Sequence, residues 1–555
     1  MELNDLLVKG YFPEELTPPF TSEDLKLVSI EVQASLSSFN LATGHKKTSR
    51  PASFSVPKIK GYRRNLGIPV PLHYVRLATV IVDHWQAIED HCAQSTISLS
   101  RLRVKEGALR SVLKPNFKNI TKEKIIRSTG NRFMLKIDIA KFYSLIYTHS
   151  IPWALHTKPF SKVNRQRKFF GNALDEDSRN IQDGQTIGIP IGPDTSRIIS
   201  EIILCSIDKA ICDQVGTISG VRVVDDYHLY FKSLGELEKG RVAIHKALKE
   251  YELELNQSKE RVEELPEIIE NEWFRVIREY KFRNRWTFQR TDLIAYFDTV
   301  IAFSRKFPDD MVFTFAMSKL RFTVFNKKNW KILQSLLLNS LLLEPKIIPY
   351  VAQNLISYDK KKYPIDNSII KEALEQFIIH HCDLTNDFEI VWALWLAKEL
   401  KITLSERVGQ ALSKNSNSIV ILTALDLRDK EFLPENLDIS LWESLLVEEN
   451  LFNEHWLVAY EAKKKGWLTS IDNYIDRSSF YKLLSDADVS FYKEDKMLDL
   501  DKVKVTTNTE YLGDEDEEDQ DKESDSVFSA ANNNAKKSFF ESITASKEPL
   551  DDLPF

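Results

Sequence analysis

Apolar residues in the first half of the chain fall into short runs, and two of these have the texture of buried strands. Phe133-Met134-Leu135-Lys136-Ile137-Asp138-Ile139 is nearly continuous in apolar side chains and carries a carboxylate close to its end, the pattern of a strand covered on both faces. Val221-Arg222-Val223-Val224-Asp225-Asp226-Tyr227-His228-Leu229-Tyr230-Phe231 is β-branched or aromatic on either side of an Asp-Asp pair. Aspartate favours turns while these flanks favour strands, so the pair predicts the tip of a β-hairpin. Through residue 265 such runs alternate with helical spacing and Gly/Pro punctuation, which predicts an α+β domain over 1–265.

From 266 to 500 glycine almost vanishes and apolar residues recur at helical spacing, as in Trp330, Ile332, Leu333, Leu336, Leu337 and Leu341, and again in Leu451, Phe452, Trp456, Leu457 and Tyr460. Polar breaks such as Glu344-Pro345 and Tyr363-Pro364 divide the pattern without a fixed period. The expectation is an all-α helical-repeat (HEAT-like) domain over 266–500. Residues 501–555 are polar and low in complexity. Gly513 to Ser526 holds nine carboxylates and one lysine, so a disordered acidic tail is expected there.

Composition sharpens this division. The 555 residues are 43% hydrophobic and 28% charged, which excludes a fibrous or wholly disordered chain. The net charge of −6 is unevenly spread. Residues 501–555 hold 15 acidic and six basic side chains, whereas residues 41–130 hold 17 Lys/Arg against five Asp/Glu. A basic segment in a nearly neutral body is the footprint of phosphate binding. The four cysteines, Cys92, Cys205, Cys212 and Cys382, lack CxxC spacing, which argues against a disulfide framework or structural zinc and for a reducing cytoplasm. No apolar run approaches the ~20 residues that span a bilayer, and no basic-then-apolar leader opens the chain, so no membrane association is expected.

If the two strand-like elements pair side by side, Asp138, Asp225 and Asp226 converge. Three carboxylates in one place repel one another and are driven toward protonation unless divalent cations compensate. Such a set suits two Mg2+ ions about 3.5–4 Å apart, one activating a hydroxyl and the other stabilising the leaving phosphate oxygens.

Other blocks surround these elements. Ser55-Val56-Pro57-Lys58-Ile59-Lys60-Gly61-Tyr62-Arg63-Arg64-Asn65-Leu66-Gly67-Ile68-Pro69 lies upstream, Gly188-Ile189-Pro190-Ile191-Gly192-Pro193-Asp194-Thr195-Ser196 between, and Leu253-Glu254-Leu255-Asn256-Gln257-Ser258-Lys259 after them. The order over residues 55–265 resembles that of reverse transcriptases, with palm blocks around Asp138, Gly188–Ser196, Asp225-Asp226 and Lys259 behind a fingers block. Leu7-Val8-Lys9-Gly10-Tyr11-Phe12-Pro13 and Leu145 to Trp153 are similar to the bacterial abortive-infection and defence-associated branch, whose polymerases are followed by a helical-repeat domain.

The resemblance implies fingers and palm over 1–265 and particular roles. Asp138, Asp225, Asp226 and the main-chain carbonyl of Ile139 would hold the two Mg2+ ions. Lys58, Arg63 and Arg64 would hold a deoxynucleoside triphosphate, beside Gly192 of the central block. Tyr143 would exclude a 2′-hydroxyl, and Lys259 would protonate the leaving pyrophosphate. Two departures stand out: Val223 replaces the usual aromatic before x-Asp-Asp, and Ile191 replaces the glutamine of templated enzymes. Ile191 cannot make the hydrogen bonds of a glutamine, and relatives lacking it are protein-primed, some working without a template.

The implied protein is a cytoplasmic antiphage DNA polymerase and homo-oligomer making single-stranded DNA. The alternatives are an RNA-templated enzyme with a cognate noncoding RNA, and a nucleic-acid-binding scaffold with a relict site. His149 reads as a hydrogen-bonded turn histidine, and Lys158, Lys162, Arg165, Arg167 and Lys168 as an electrostatic rail. Asp551-Asp552-Leu553-Pro554-Phe555 resembles the tip of bacterial single-stranded-DNA-binding protein, which implies host proteins that bind that tip as partners.

Overall fold

Among the described residues, the first half of the chain builds two antiparallel sheets. β1 (Ala52–Pro57) and β2 (Arg63–Ile68) form a hairpin, in register from Ala52 opposite Ile68 to Pro57 opposite Arg63. The second sheet contains β3 (Phe133–Asp138), β4 (Ser219–Val223), β5 (Asp226–Phe231) and β6 (Arg261–Glu264), in the order β4-β5-β3-β6. The computed structural model describes residues 1–36, 39, 47–58, 61–321, 323–470 and 472–497; the acidic stretch 501–555 and its tip lie outside the described residues.

β3 is central in its sheet and pairs on both sides, which is why Phe133, Met134, Leu135 and Ile137 are all buried and why its sequence lacks strand alternation. Behind the sheet runs the 22-residue helix Asp194–Val215, apolar on nearly every face and buried along most of its length. The helix Leu234–Glu250 packs on β3, on β5 and on that long helix. Side chains cap its start: Ser233 Oγ accepts from the Glu236 amide at 3.3 Å, and Glu236 Oε2 from the Lys232 amide at 3.0 Å.

The second half is helical, as its spacing predicts. Val312–Leu320, Ile348–Lys360, Asp387–Glu399, Ser418–Asp429 and Trp456–Lys464 pack one on the next as a row, while Trp330–Ser340, Asn367–Asp383 and Glu406–Leu412 pack against members of it. The row touches β1 through Asp387–Glu399 and Ser418–Asp429. An isolated two-stranded ribbon is marginal in water, and here helices support it. Ser55 N donates to Asp387 Oδ2 at 2.9 Å, Asn417 Nδ2 to the Ser53 carbonyl at 2.8 Å, and Trp456 Nε1 to the Ile68 carbonyl at 3.0 Å.

The N-terminal segment is clamped between the two halves. Tyr11 stacks on Tyr74 with ring centres 4.1 Å apart, and Phe12 stacks on Phe491 at 5.9 Å. Gly10 O accepts from Asp194 N at 2.7 Å. The fold is α+β followed by packed helices. All four cysteines are free, and among the described residues no helix is long and apolar enough to cross a membrane.

Candidate active site

Antiparallel pairing of β3 with β5 places Asp138 directly opposite Asp226. The hairpin joining β4 to β5 turns at Val224 and Asp225, with Val223 opposite Asp226. The Asp225 carbonyl accepts from the Ile139 amide at 3.2 Å, tying the tip to the end of β3. Burial, reinforced by the charges of Asp138 and Asp226, pushes Asp225 up to about 6. The convergence expected from the two sequence elements is therefore present, and Ile139 lies buried at its base.

The tip is held in an uncommon conformation. Val224 has φ 53°, a left-handed backbone that a β-branched residue rarely adopts. Its amide donates to Ser100 Oγ at 2.8 Å and its carbonyl accepts from Arg222 Nη1 at 3.2 Å. Arg222, fully buried, also donates to Asp208 from Nε at 2.8 Å and to Glu201 from Nη1 at 3.0 Å. Sequence reasoning passed over this arginine, because one basic residue in a strand ordinarily faces water.

Lys259 is at the centre too. Its Nζ lies 2.7 Å from Asp138 Oδ2, and Asn256 Nδ2 donates to Asp138 Oδ1 at 3.2 Å. Burial alone would lower the lysine; its bond to Asp138 and the charges of Asp138, Asp225 and Asp226 reverse that and raise it. Partial desolvation, then Arg64 and Lys259, lower Lys58, while Asp225 and Asp138 oppose them. These interactions bring Lys58 into the field of the carboxylates and Arg64 into that of Lys58.

Arg63 is placed otherwise. Successive strand residues face opposite ways, and its guanidinium forms a fork on Glu389, with both bonds at 2.8 Å. The remaining donors reach Ser55 Oγ at 2.6 Å and the Ser55 carbonyl at 2.9 Å. Expected beside a triphosphate, Arg63 instead joins the β1–β2 hairpin to the helix row. Tyr143 is half-buried, with its hydroxyl 3.3 Å from Ser200 Oγ. Burial raises it, the Ser200 bond and the charge of Arg197 oppose that, and the charges of Asp225 and Glu201 add to the rise. Gly192 has φ 125°, and a Cβ there would lie 2.7 Å from Pro13 Cγ, so the N-terminal segment accounts for this glycine.

His149 Nδ1 lies 2.6 Å from Asp175 Oδ2, as expected of a turn histidine. In the expected rail, Arg167 is spent on Asp177, with bonds at 2.9 and 2.8 Å. Lys158 Nζ donates to the Glu250 carbonyl at 3.0 Å and sits 4.0 Å from the Trp153 ring centre.

The donor chemistry at the three aspartates fits Mg2+, a hard ion that takes carboxylate oxygen. Among the described residues no set of three or more His, Cys, Asp or Glu side chains closes into a cation cage. Lys259 acts as the counter-charge on Asp138.

Residues 86–282 match the family described as reverse transcriptase (RNA-dependent DNA polymerase). The strands with the three aspartates and Lys259 fall inside that range, whereas the block with Lys58, Arg63 and Arg64 precedes it. This part of the chain is thus a reverse transcriptase domain, of nucleotidyltransferase type. No curated protein matches the sequence. Similar solved structures include apo telomerase from Candida tropicalis, at 12% identity over 72% of this chain and 72% of that one, TM-score 0.30. Telomerase from Candida albicans in complex with a fragment of telomeric RNA is 12% identical over 72% and 68%, TM-score 0.29. Candida tropicalis telomerase truncated from its C-terminal domain is 14% identical over 45% of this chain, which spans 57% of that one, TM-score 0.29.

Proposed function

We propose that this protein is a Mg2+-dependent DNA polymerase of the reverse-transcriptase type that acts in cytoplasmic antiphage defence, primed by a hydroxyl of a protein side chain and independent of a template. The observation that carries the polymerase reading is Asp138 in register with Asp226, with Asp225 at the adjoining tip. Likeness of the motif blocks and of the N-terminal segment supports the defence setting. Ile191, in place of a glutamine, supports synthesis without a template.

Asp138, Asp225, Asp226 and the Ile139 carbonyl would hold the metal, which when bound neutralises phosphate charge and makes a hydroxyl easier to deprotonate. The hydroxyl oxygen bonds to the α-phosphorus of a deoxynucleoside triphosphate, the bond to pyrophosphate breaks, and the hydroxyl proton passes to bulk water. Lys58 and Arg64 receive the triphosphate oxygens. Lys259, ion-paired to Asp138, keeps a proton at the centre that the departing pyrophosphate can take. The Tyr143 ring occupies the space a 2′-hydroxyl would need.

Two measurements test this. Full-length protein is incubated with Mg2+ and each deoxynucleotide in turn, with no template, and its mass followed. A ladder of single-nucleotide additions on the polypeptide is expected. Growth only when RNA is added favours the RNA-templated alternative, and no growth under either condition removes the polymerase reading. Tyr143→Ala is expected to reduce discrimination against ribonucleotides by roughly 10- to 100-fold, read as the ratio of kcat/KM values. An unchanged ratio removes the gate.

A further inference from the structure

Outside the strands that carry the carboxylates, the start of one helix gathers exposed rings and cations. At the start of the helix Trp286–Lys306, Trp286 is 37% and Phe288 45% exposed. Five other tryptophans of the helical half, Trp273, Trp330, Trp395, Trp442 and Trp456, are fully buried. Between Lys281 and Arg290 the chain has four cations and no carboxylate. The Arg283 and Arg285 guanidinium groups lie 4.7 and 5.4 Å from the Phe288 ring centre, and Lys328 Nζ is 5.0 Å from that of Trp286.

Arg283 is neutralised by Asp292 at 2.5 Å. Among the described residues, Lys281, Arg285, Arg290 and Lys328 have no carboxylate partner. The surface is also braced from below. Asn329 Nδ2 donates to the Trp286 carbonyl at 2.9 Å and to Gln289 Oε1 at 3.1 Å, and Gln289 Oε1 accepts from the Asn326 amide at 2.8 Å. Asn329 and Gln289 are buried, so the loop carrying Lys328 is stapled to the helix that carries the rings.

We propose that this surface binds single-stranded nucleic acid, with bases stacked on Trp286 and Phe288 and phosphates against Arg285, Arg290, Lys281 and Lys328. Flat exposed rings match unpaired bases of any sequence, and unpaired cations match the phosphates between them. An apolar protein partner would have to desolvate four charges for two rings, and an acidic peptide would leave the rings unused. The inference deepens the polymerase reading and rests on it for one point, that the strand held is the product.

The test uses full-length protein, a fluorescein-labelled oligo(dT) of about twenty nucleotides, its duplex with oligo(dA), and anisotropy across a salt series. Trp286→Ala with Phe288→Ala is expected to weaken single-strand binding roughly tenfold or more and to erase its preference over duplex. Arg285→Glu with Arg290→Glu is expected to weaken both and flatten the salt dependence. These side chains are exposed, so an unchanged melting temperature checks the fold. Single-strand affinity within twofold of wild type in the ring variant overturns the proposal, even if charge reversal weakens binding, because an electrostatic rail would then suffice. Incorporation measured alongside separates the two readings: oligonucleotide binding by the rings without any nucleotide addition sinks the polymerase reading and leaves this surface standing.

Discussion

Asp225→Asn is expected to abolish nucleotide incorporation while raising thermal stability in metal-free buffer. Burial and the charges of Asp138 and Asp226 hold Asp225 up at about 6. A carboxyl whose folded-state pKa is raised binds its proton more tightly folded than unfolded, so stability falls as pH climbs from the unfolded value toward 6 and levels off above it. Wild type therefore carries the whole penalty at pH 8, and the asparagine carries none. The two melting temperatures should differ most at pH 8 and converge as pH drops below 6. Added Mg2+ should raise the wild-type midpoint, since a ligand that binds only the folded state stabilises it, and should raise that of Asp225→Asn much less. Incorporation should fall by more than about 10³-fold, beyond the usual cost of one electrostatic group. Activity within tenfold of wild type, or equal Mg2+ responses, would refute the assignment of this carboxylate.

The reach of the sequence can be judged residue by residue. β3 and the β4–β5 hairpin were legible because burial on both faces and an Asp-Asp turn leave distinct local patterns, and antiparallel pairing then fixes Asp138 opposite Asp226. The helical half was legible from spacing alone. Arg63 was not, because its partner Glu389 lies 326 positions away. Strand alternation says that Arg63 and Arg64 face opposite sides, but not which side meets the helix row. The bond from Lys259 to Asp138 also escaped, since a lysine after a turn has no local mark of its partner. Trp286 and Phe288 open a stretch that otherwise reads as an ordinary helix, and only tertiary packing distinguishes a ring left in water from one in the core.

Arg222→Ala is expected to be among the most destabilising single changes, at about 3–5 kcal/mol, because it strands Glu201 and Asp208 as buried charges without their cation. Ser98 Oγ donates to Glu201 at 2.5 Å, and Ser95 Oγ and Tyr227 Oη donate to Asp208 at 2.5 and 3.0 Å. These bonds remain in the variant but cannot neutralise two carboxylates. Adding Glu201→Gln and Asp208→Asn removes both charges and should recover most of the melting temperature. Activity should stay low even so. Val224 holds its left-handed conformation with its carbonyl on Arg222 and its amide on Ser100, and without the guanidinium the tip relaxes and carries Asp225 away from the end of β3, where its carbonyl accepts from the Ile139 amide. The triple variant should therefore show near-normal KM for deoxynucleotide and a kcat depressed roughly 10- to 100-fold, the range for loss of a supporting contact to a metal ligand. If kcat returns together with stability, Arg222 serves folding alone and the hairpin needs no brace.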